Sequence, residues 1–254
     1  MKKINYIFYL LVMFSLFSCA EEGDITGGNA AISGSYAKML SRGEYLYFAN
    51  QSELVTFSIS ERANPVELDR QSLNFGLESV FIREDLMFIG STTQMYIYRL
   101  TSTGIPEFLS TTSYQNWGSA GCWADPIVTN DTLAFVTIAT NDLPAIGCQR
   151  NEVNELRLFD ITNLEAPVLK NIVEMEEPKG LGLDGTWLFV CERNDGLKVF
   201  DVSRLTDVKQ IHHFDNYQSF DVIPLNGLLL VVGPDKLYQY DYSDMENMYL
   251  LSTI

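Results

Sequence analysis

The hydrophobic pattern of the chain is dominated by a short apolar run that recurs five times. The copies lie 41, 47, 54 and 42 residues apart, at 45–48, 86–89, 133–136, 187–190 and 229–232. A second run that ends in an aromatic residue follows each copy, at 54–57, 95–98, 156–159, 197–200 and 237–240. Turn-forming residues such as Asn194-Asp195-Gly196 separate the two runs. The repeated unit is therefore predicted to contain a β-hairpin.

Each hairpin is flanked by sequence signals for two further strands. Pro65, Pro106 and Pro167 follow the second run in the first three copies, and a strand that proline opens belongs at a sheet edge because proline donates no hydrogen bond. Short apolar runs such as Val80-Phe81-Ile82 precede each hairpin and supply an inner strand. Four strands with a period in the low forties are typical of propeller blades. The sequence thus predicts an all-β chain, with a five-bladed β-propeller of four-stranded blades over residues 32–254; two β-sandwiches are the alternative.

The repeats resemble those of the LVIVD repeat family of bacterial and archaeal surface proteins. The likeness is clearest in the segments Leu156–Asn163 and Leu197–Ser203. The first two copies depart from it, since Ser58 and Arg99 stand where the later copies carry Asp160, Asp201 and Asp241. The resemblance implies a propeller at the cell surface and assigns no catalytic residue. The three aspartates are predicted to begin turns, in which the carboxylate accepts nearby backbone N–H groups.

The N-terminus has the layout of an export signal. Lys2 and Lys3 precede an apolar stretch that ends at Phe17, and Ser18-Cys19 follows. Because a bilayer-spanning helix needs about 20 apolar residues, a transmembrane anchor is the weaker interpretation. Residues 16–19 resemble a bacterial lipobox, which implies a signal peptide over 1–18 and a lipid on Cys19, with a soluble secreted product as the alternative. Residues 19–31 predict a flexible acidic tether to the outer membrane, on its periplasmic or its surface side.

Charge and motifs exclude several functions. The chain has 17 basic and 33 acidic residues, and loss of Lys2 and Lys3 leaves 15 basic side chains. Such a surface repels nucleic acid, so no nucleic-acid partner is predicted. The sequence contains no nucleophile elbow, phosphate-binding glycine loop, HExxH or CxxC. The two histidines, His212 and His213, are neighbours on a predicted strand and point to opposite faces.

Extra residues gather in the third copy of the repeat. About six lie between Ser113 and Asp125 and about fourteen between Thr140 and Asn154, and propeller geometry brings both insertions to one face. Each insertion holds one cysteine, which predicts a disulfide between Cys122 and Cys148. The aromatic side chains beside it are candidates to stack on a glycan or anchor a protein, or else they pack the loops: Tyr114, Trp117 and Trp123.

A second candidate site comes from aligning the inner strands. Eight residues before the first run, four of the five copies carry a charged residue: Glu78, Asp125, Lys179 and Asp221. These groups are predicted to point into the central channel, either as a site for calcium, magnesium or a small polar ligand, or as a hydrated ring of ion pairs. No other cofactor is predicted.

Three hypotheses for function follow. The leading one is a lipid-anchored binding module of the cell envelope, which presents the face with the third-copy insertions to a glycan or an envelope protein. The second is a metal-assisted hydrolase or lyase that uses Glu78, Asp125 and Asp221. The third is a structural spacer in an envelope complex, which would bind no small ligand.

Overall fold

The computed structural model describes residues 38–74, 76–114, 126–139 and 153–254. In these residues the chain forms five four-stranded antiparallel sheets and one short 3₁₀-helix. The strands of each sheet are hydrogen-bonded in chain order, so each sheet is a meander of three hairpins. The predictions of an all-β chain and of five four-stranded units are confirmed.

The strand bounds match the repeat. The first sheet contains β1 (Met39–Arg42), β2 (Tyr45–Ala49), β3 (Glu53–Ser58) and β4 (Val66–Ser72). The second contains β5 (Leu77–Arg83), β6 (Leu86–Ser91), β7 (Gln94–Leu100) and β8 (Pro106–Ser113). The third contains β9 (Ile127–Thr129), β10 (Leu133–Ala139), β11 (Asn154–Asp160) and β12 (Val168–Glu174). The fourth contains β13 (Pro178–Asp184), β14 (Trp187–Glu192), β15 (Gly196–Asp201) and β16 (Lys209–Phe214). The fifth contains β17 (Asp221–Leu225), β18 (Leu228–Val232), β19 (Leu237–Asp241) and β20 (Tyr249–Thr253), with the 3₁₀-helix Met245–Asn247 before its last strand.

Four apolar clusters hold consecutive sheets together. We call the contact between two consecutive sheets a seam, and each cluster fills one seam. In every seam an aromatic residue from the second strand of one sheet packs against two residues of the same strand in the next sheet. Phe88 of the second sheet lies with Ala134 and Val136 of the third, for example. The same arrangement places Tyr47, Phe135 and Phe189 in the other three seams. Side chains that alternate along a strand therefore face the preceding and the following sheet in turn.

This packing corrects the predicted register of the fifth copy. Leu229 and Val231 face the fourth sheet, as Met87 and Ile89 face the first. The strand equivalent to Leu86–Ser91 thus begins at Leu228, one residue earlier than the predicted run 229–232. The prediction was wrong because Leu228, Leu229 and Leu230 are all leucine. No polar residue in this run indicates which side chains face the neighbouring sheet.

A β-bulge recurs at the same place in all five sheets. The register between the third and fourth strands shifts just before an aromatic residue close to the end of the third strand, as between Thr56 and Phe57. Equivalent shifts occur in the other four sheets. The extra residue always belongs to the outer strand: Leu68, Leu109, Lys170, Ile211 and Leu251.

The two terminal sheets differ from the middle three. In the third sheet, every residue of β10 is buried. In the first sheet, Tyr47 and Ala49 are buried against the second sheet, whereas Phe48 on the opposite face is 38% exposed. In the fifth sheet, Leu229 and Val231 are buried, whereas Val232 is 40% exposed. Among the described residues, each terminal sheet is therefore covered on one face only.

Candidate binding site on the insertion rim

The sheet topology brings both insertions of the third sheet to one rim. The first strand of each sheet begins at this rim and the second strand ends there, because the strands are antiparallel. The connection 114–126 leads into β9, and the connection 140–153 joins β10 to β11. We call this the insertion rim. At the opposite rim the first and second strands are joined by short turns of two or three residues, 43–44, 84–85, 130–132, 185–186 and 226–227.

Several predicted site residues lie outside the described residues. These are the lipidation candidate Cys19, the disulfide candidates Cys122 and Cys148, the aromatic residues Trp117 and Trp123, and the channel residue Asp125. Their roles remain predictions.

Tyr114 begins the first insertion and is buried. Its side chain is 3% exposed and packs on Phe159, with ring centroids 6.1 Å apart. The backbone carbonyl of Tyr114 accepts a hydrogen bond from the Arg157 guanidinium, which is also buried and bonds Glu155 at 2.7 Å. The structure thus corrects the prediction of Tyr114 as an exposed stacking residue. Arg157 lies just after the second insertion, so it ties the bases of the two insertions together.

A comparable buried tie lies in the fourth sheet. The Glu192 side chain is fully buried at the end of β14 and accepts a bond of 2.9 Å from the Lys198 ammonium. It also accepts the backbone N–H groups of residues 176 and 177, at 3.1 and 2.7 Å. Burial lowers the pKa of Lys198, but its bonds to Glu192 and Asp195 outweigh this and the pKa is raised overall. The Glu192 carboxylate thereby joins the β14–β15 hairpin to the segment that enters β13.

A second group of charges surrounds the mostly buried Glu177 at the same rim. Its carboxylate accepts hydrogen bonds from Arg193 at 3.0 Å and Asn194 at 2.9 Å, and it lies 3.8 Å from the Lys179 ammonium. Burial lowers the pKa of Lys179, and Glu177 opposes the shift. Sequence reasoning missed Glu177, Glu192 and Lys198. A signal was present, because Arg157 and Lys198 occupy one register position of the second run, where the other copies carry Val55, Tyr96 and Tyr238.

The three described channel residues, Glu78, Lys179 and Asp221, lie at the insertion rim but do not share a single register. Glu78 pairs with Lys38 of the first sheet at 3.1 Å, and Lys179 lies beside Glu177. Asp221 pairs with Val232 in the same way that Ser79 of the second sheet pairs with Gly90. Asp221 is therefore equivalent to Ser79, and it lies one residue further along its strand than the position of Glu78. Its carboxylate accepts the backbone N–H of Val222. No group of three His, Cys, Asp or Glu side chains in the described residues is placed to hold a metal ion.

Other sequence predictions are confirmed. The carboxylates of Asp160, Asp201 and Asp241 each accept the backbone N–H two residues later, at 2.9 to 3.0 Å. The structure also places Cys191 in the apolar cluster between the fourth and fifth sheets, where burial raises the pKa of its thiol. His212 and His213 lie on the outer strand β16, and their rings bond the carbonyls of Met245 and Asp195 respectively.

Comparisons with known proteins agree with this fold. The family model described as the LVIVD repeat matches residues 33–71. A crystal structure of a protein from Lactobacillus plantarum is 16% identical, with a TM-score of 0.62 over 84% of this chain and 72% of that one. The periplasmic gluconolactonase of Pseudomonas aeruginosa is 12% identical, with a TM-score of 0.61 over 84% and 67%. BamB from Moraxella catarrhalis is 11% identical, with a TM-score of 0.56 over 85% of this chain and 62% of its own. No curated protein matches the sequence.

The five consecutive four-stranded sheets and these structural neighbours define a β-propeller protein. Its first sheet carries the LVIVD repeat, so the prediction of an LVIVD-repeat β-propeller is confirmed. Because the sequence identities are only 11 to 16%, these similarities show a shared fold and nothing more. In the described part of the chain, no helix has the length and apolar character that crossing a bilayer requires.

Proposed function

We propose that the protein is a lipid-anchored interaction module of the cell envelope, built as a propeller with five blades per chain, which presents the insertion rim to a glycan or protein partner. One observation carries the proposal. The two longest connections between the described strands, 114–126 and 140–153, both begin and end at this rim, and Arg157 joins their bases.

The rim has the properties of a binding surface on a rigid base. Loops carry binding residues most effectively when a packed scaffold positions them. Here the scaffold includes two buried polar contacts, the hydrogen bond from Arg157 to the Tyr114 carbonyl and the ion pair of Glu192 with Lys198. The first insertion also contains Trp117 and Trp123, and exposed tryptophan stacks on sugar rings or anchors a protein partner. Buried Tyr114 supports this surface from below and takes no direct part in binding.

The envelope location rests on the N-terminal sequence. The leader and Cys19 provide an export signal and a lipid site, and several acyl chains on one cysteine would hold the protein in a leaflet. One structural neighbour is itself a periplasmic enzyme by name, which agrees with export.

A glycan array, combined with chemical cross-linking in native envelopes, would test the binding proposal. We expect a Trp117→Ala/Trp123→Ala double variant to lose at least about tenfold in affinity for the partner that is found. The matched control is Trp187→Ala, because the third tryptophan of the chain begins β14 at the opposite rim. Equal binding by the double variant and the wild type, or loss of binding in the control alone, would contradict the proposal.

The anchor has a separate test. Metabolic labelling with an alkyne fatty acid should mark the wild-type protein and leave Cys19→Ala unlabelled. Labelling that persists in Cys19→Ala would place the lipid elsewhere.

The proposed disulfide between Cys122 and Cys148 would close the two insertions on each other and contribute roughly 3 kcal/mol. Intact-mass analysis after alkylation without reductant should show both thiols protected in the folded protein. Alkylation of both would disprove the bridge.

A further inference from the structure

A cavity opens at the end of the seam between the fourth and fifth sheets, at the rim opposite the insertions. Its volume is about 510 Å³, which falls within the range of small-molecule sites. The turns 185–186 and 226–227 border it, and the segment that follows β19 closes its outer side. We call it the turn-rim cavity, and its lining includes six polar or aromatic residues: Asp184, Thr186, Trp187, Asn226, Tyr242 and Ser243.

Three residues of this cavity depart from the repeat. At the position of Tyr242 the other four copies carry an aliphatic residue: Ile59, Leu100, Ile161 and Val202. At the position of Trp187, which begins β14, the other four second strands begin with tyrosine or leucine: Tyr45, Leu86, Leu133 and Leu228. Asp184 pairs with Trp187, and the other four copies have no acidic residue in its place: Arg42, Arg83, Asn130 and Leu225. The other seams form without these residues, so packing of the sheets does not require them.

The three departures form one connected group. The Tyr242 hydroxyl donates to Oδ2 of Asp184 at 2.7 Å, and the Tyr242 ring packs on Phe189 with ring centroids 5.0 Å apart. Burial and the bond to Asp184 raise the pKa of Tyr242, so the phenol stays protonated and continues to donate. Tyr242 is buried, whereas Asp184 and Trp187 are partly exposed. A buried phenol therefore fixes the orientation of a carboxylate that lies beside an accessible indole.

The charge of the Asp184 carboxylate is not neutralised in the turn-rim cavity. The described residues that line the cavity include no lysine, arginine or histidine. Within the described part of the chain, this carboxylate has the Tyr242 hydroxyl as its one hydrogen-bonding partner and forms no ion pair. Asp85 at the same rim differs, because it pairs with Arg99 at 2.8 Å. The chain also has 33 acidic and 17 basic residues, so the field around the cavity favours a cation.

We propose that the turn-rim cavity binds a small organic ammonium ion, with its cationic nitrogen beside the Asp184 carboxylate and the Trp187 indole. The face of an indole attracts a cation, and the carboxylate supplies the opposite charge. Oδ1 of Asp184 accepts from an N–H of the ligand, and the Asn226 amide and Thr186 hydroxyl bond its other polar atoms. This site is independent of the proposed function, because it lies at the other rim and takes another class of ligand. Trp187→Ala therefore still serves as the control for partner binding at the insertion rim.

Titration calorimetry with defined probes tests the proposal. The experiment uses the full chain with Cys19→Ser, and the probes are choline, propylammonium and dimethylbutanol, which is the neutral carbon isostere of choline. We expect saturable binding of at least one of the two cations at one site per chain, and binding of dimethylbutanol that is at least about tenfold weaker. Asp184→Asn and Trp187→Ala should each weaken cation binding by about tenfold or more. Asp85→Asn is the matched control, because Arg99 already pairs with this carboxylate; it should bind as the wild type does.

Fluorescence gives a second measurement that leaves the cavity intact. The chain has three tryptophans, so a Trp117→Phe/Trp123→Phe variant retains Trp187 alone. Its emission should change in intensity or wavelength as the bound cation saturates the site, with the same midpoint as the calorimetric titration. No binding of either cation, equal binding of dimethylbutanol, or a Trp187 emission that does not respond would overturn the proposal. Unchanged cation binding in both Asp184→Asn and Trp187→Ala would overturn it as well.

Discussion

The middle sheets and the terminal sheets of this protein are built from one repeat, yet they bury it differently. The second strands of the second, third and fourth sheets are covered on both faces, so almost every residue in them is buried. In the second strands of the first and fifth sheets, buried residues alternate with residues that are partly or fully exposed. The difference lies in the neighbours and not in the sequence, because Leu46 and Leu230 are as apolar as their counterparts. A residue of the repeat therefore acquires its energetic role from its position in the series of sheets.

The sharpest test of this comparison uses one substitution at one register position. Leu188 in the fourth sheet and Leu46 in the first occupy equivalent places, but only Leu188 is fully buried. We expect Leu188→Ala to lower the free energy of unfolding by about 2 to 5 kcal/mol, because it leaves a cavity. Leu46→Ala should cost about 1 kcal/mol or less. Urea denaturation of both variants measures the difference, and equal losses would show that the first sheet is as well covered as the fourth.

The ionic ties should show the same contrast. Glu192→Gln removes the charge partner of buried Lys198, and we expect a loss of about 3 kcal/mol in stability. Glu53→Gln in the first sheet breaks a largely exposed pair with Arg70 and should cost less than about 1 kcal/mol. Denaturation midpoints at two salt concentrations measure both. A larger loss for Glu53→Gln than for Glu192→Gln would contradict the inference that the buried ion pair stabilises the scaffold of the rim.

The first seam is predicted to be as well formed as the others despite its terminal position. The Tyr47 hydroxyl donates to the Gly104 carbonyl at 2.9 Å across this seam, and burial raises the pKa of Tyr47 to about 12. Tyr47→Phe should cost about 1 kcal/mol, whereas Tyr249→Phe on the exposed outer strand should cost nothing measurable. The contribution of Tyr47 is fully present below its unfolded pKa of about 10 and is lost as the pH rises through about 12. The phenylalanine variant should lack that alkaline component of its stability, and a parallel pH profile would contradict the assignment.

The smallest expected effect concerns the turn aspartates, which the last three sheets have and the first two lack. Hydrogen bonds from Thr162 lower the pKa of Asp160, and those from Ser203 and Ser243 do the same for Asp201 and Asp241. A lowered pKa adds stability above the unfolded value, about 3.9, which is lost as the pH falls through the folded value. Changing all three aspartates to alanine should therefore flatten the acid side of the pH–stability profile slightly. Arg99→Ala at the equivalent position of the second sheet is the control, and it should leave the acid side of the profile unchanged.

Repetition made the fold predictable from the sequence. Five aligned copies place each hairpin, each outer strand and each turn aspartate, because an error in one copy is visible against the others. The prediction failed in two situations. In the uniform run Leu228–Leu230, comparison of the copies does not reveal the register, and beside the insertions there is no equivalent residue in the other copies to compare. Tyr114 stands beside an insertion, so no register marked it as buried. Glu192 was missed because an acidic residue at the end of a strand usually points to solvent. Here Lys198, six residues later, and the backbone N–H groups of residues 176 and 177 bind its carboxylate inside the protein.

The bulge that recurs in every outer strand has a consequence for solubility. A propeller with separate sheets exposes the last strand of each one, and a flat, apolar edge strand is a template for pairing with another molecule. Several of the extra residues at the bulges, such as Leu68 and Leu251, are apolar and exposed. An inserted residue bends and twists the strand and disrupts its row of unpaired backbone groups. Each edge is thereby a poor substrate for amyloid-like growth, even though its side chains alone would favour it.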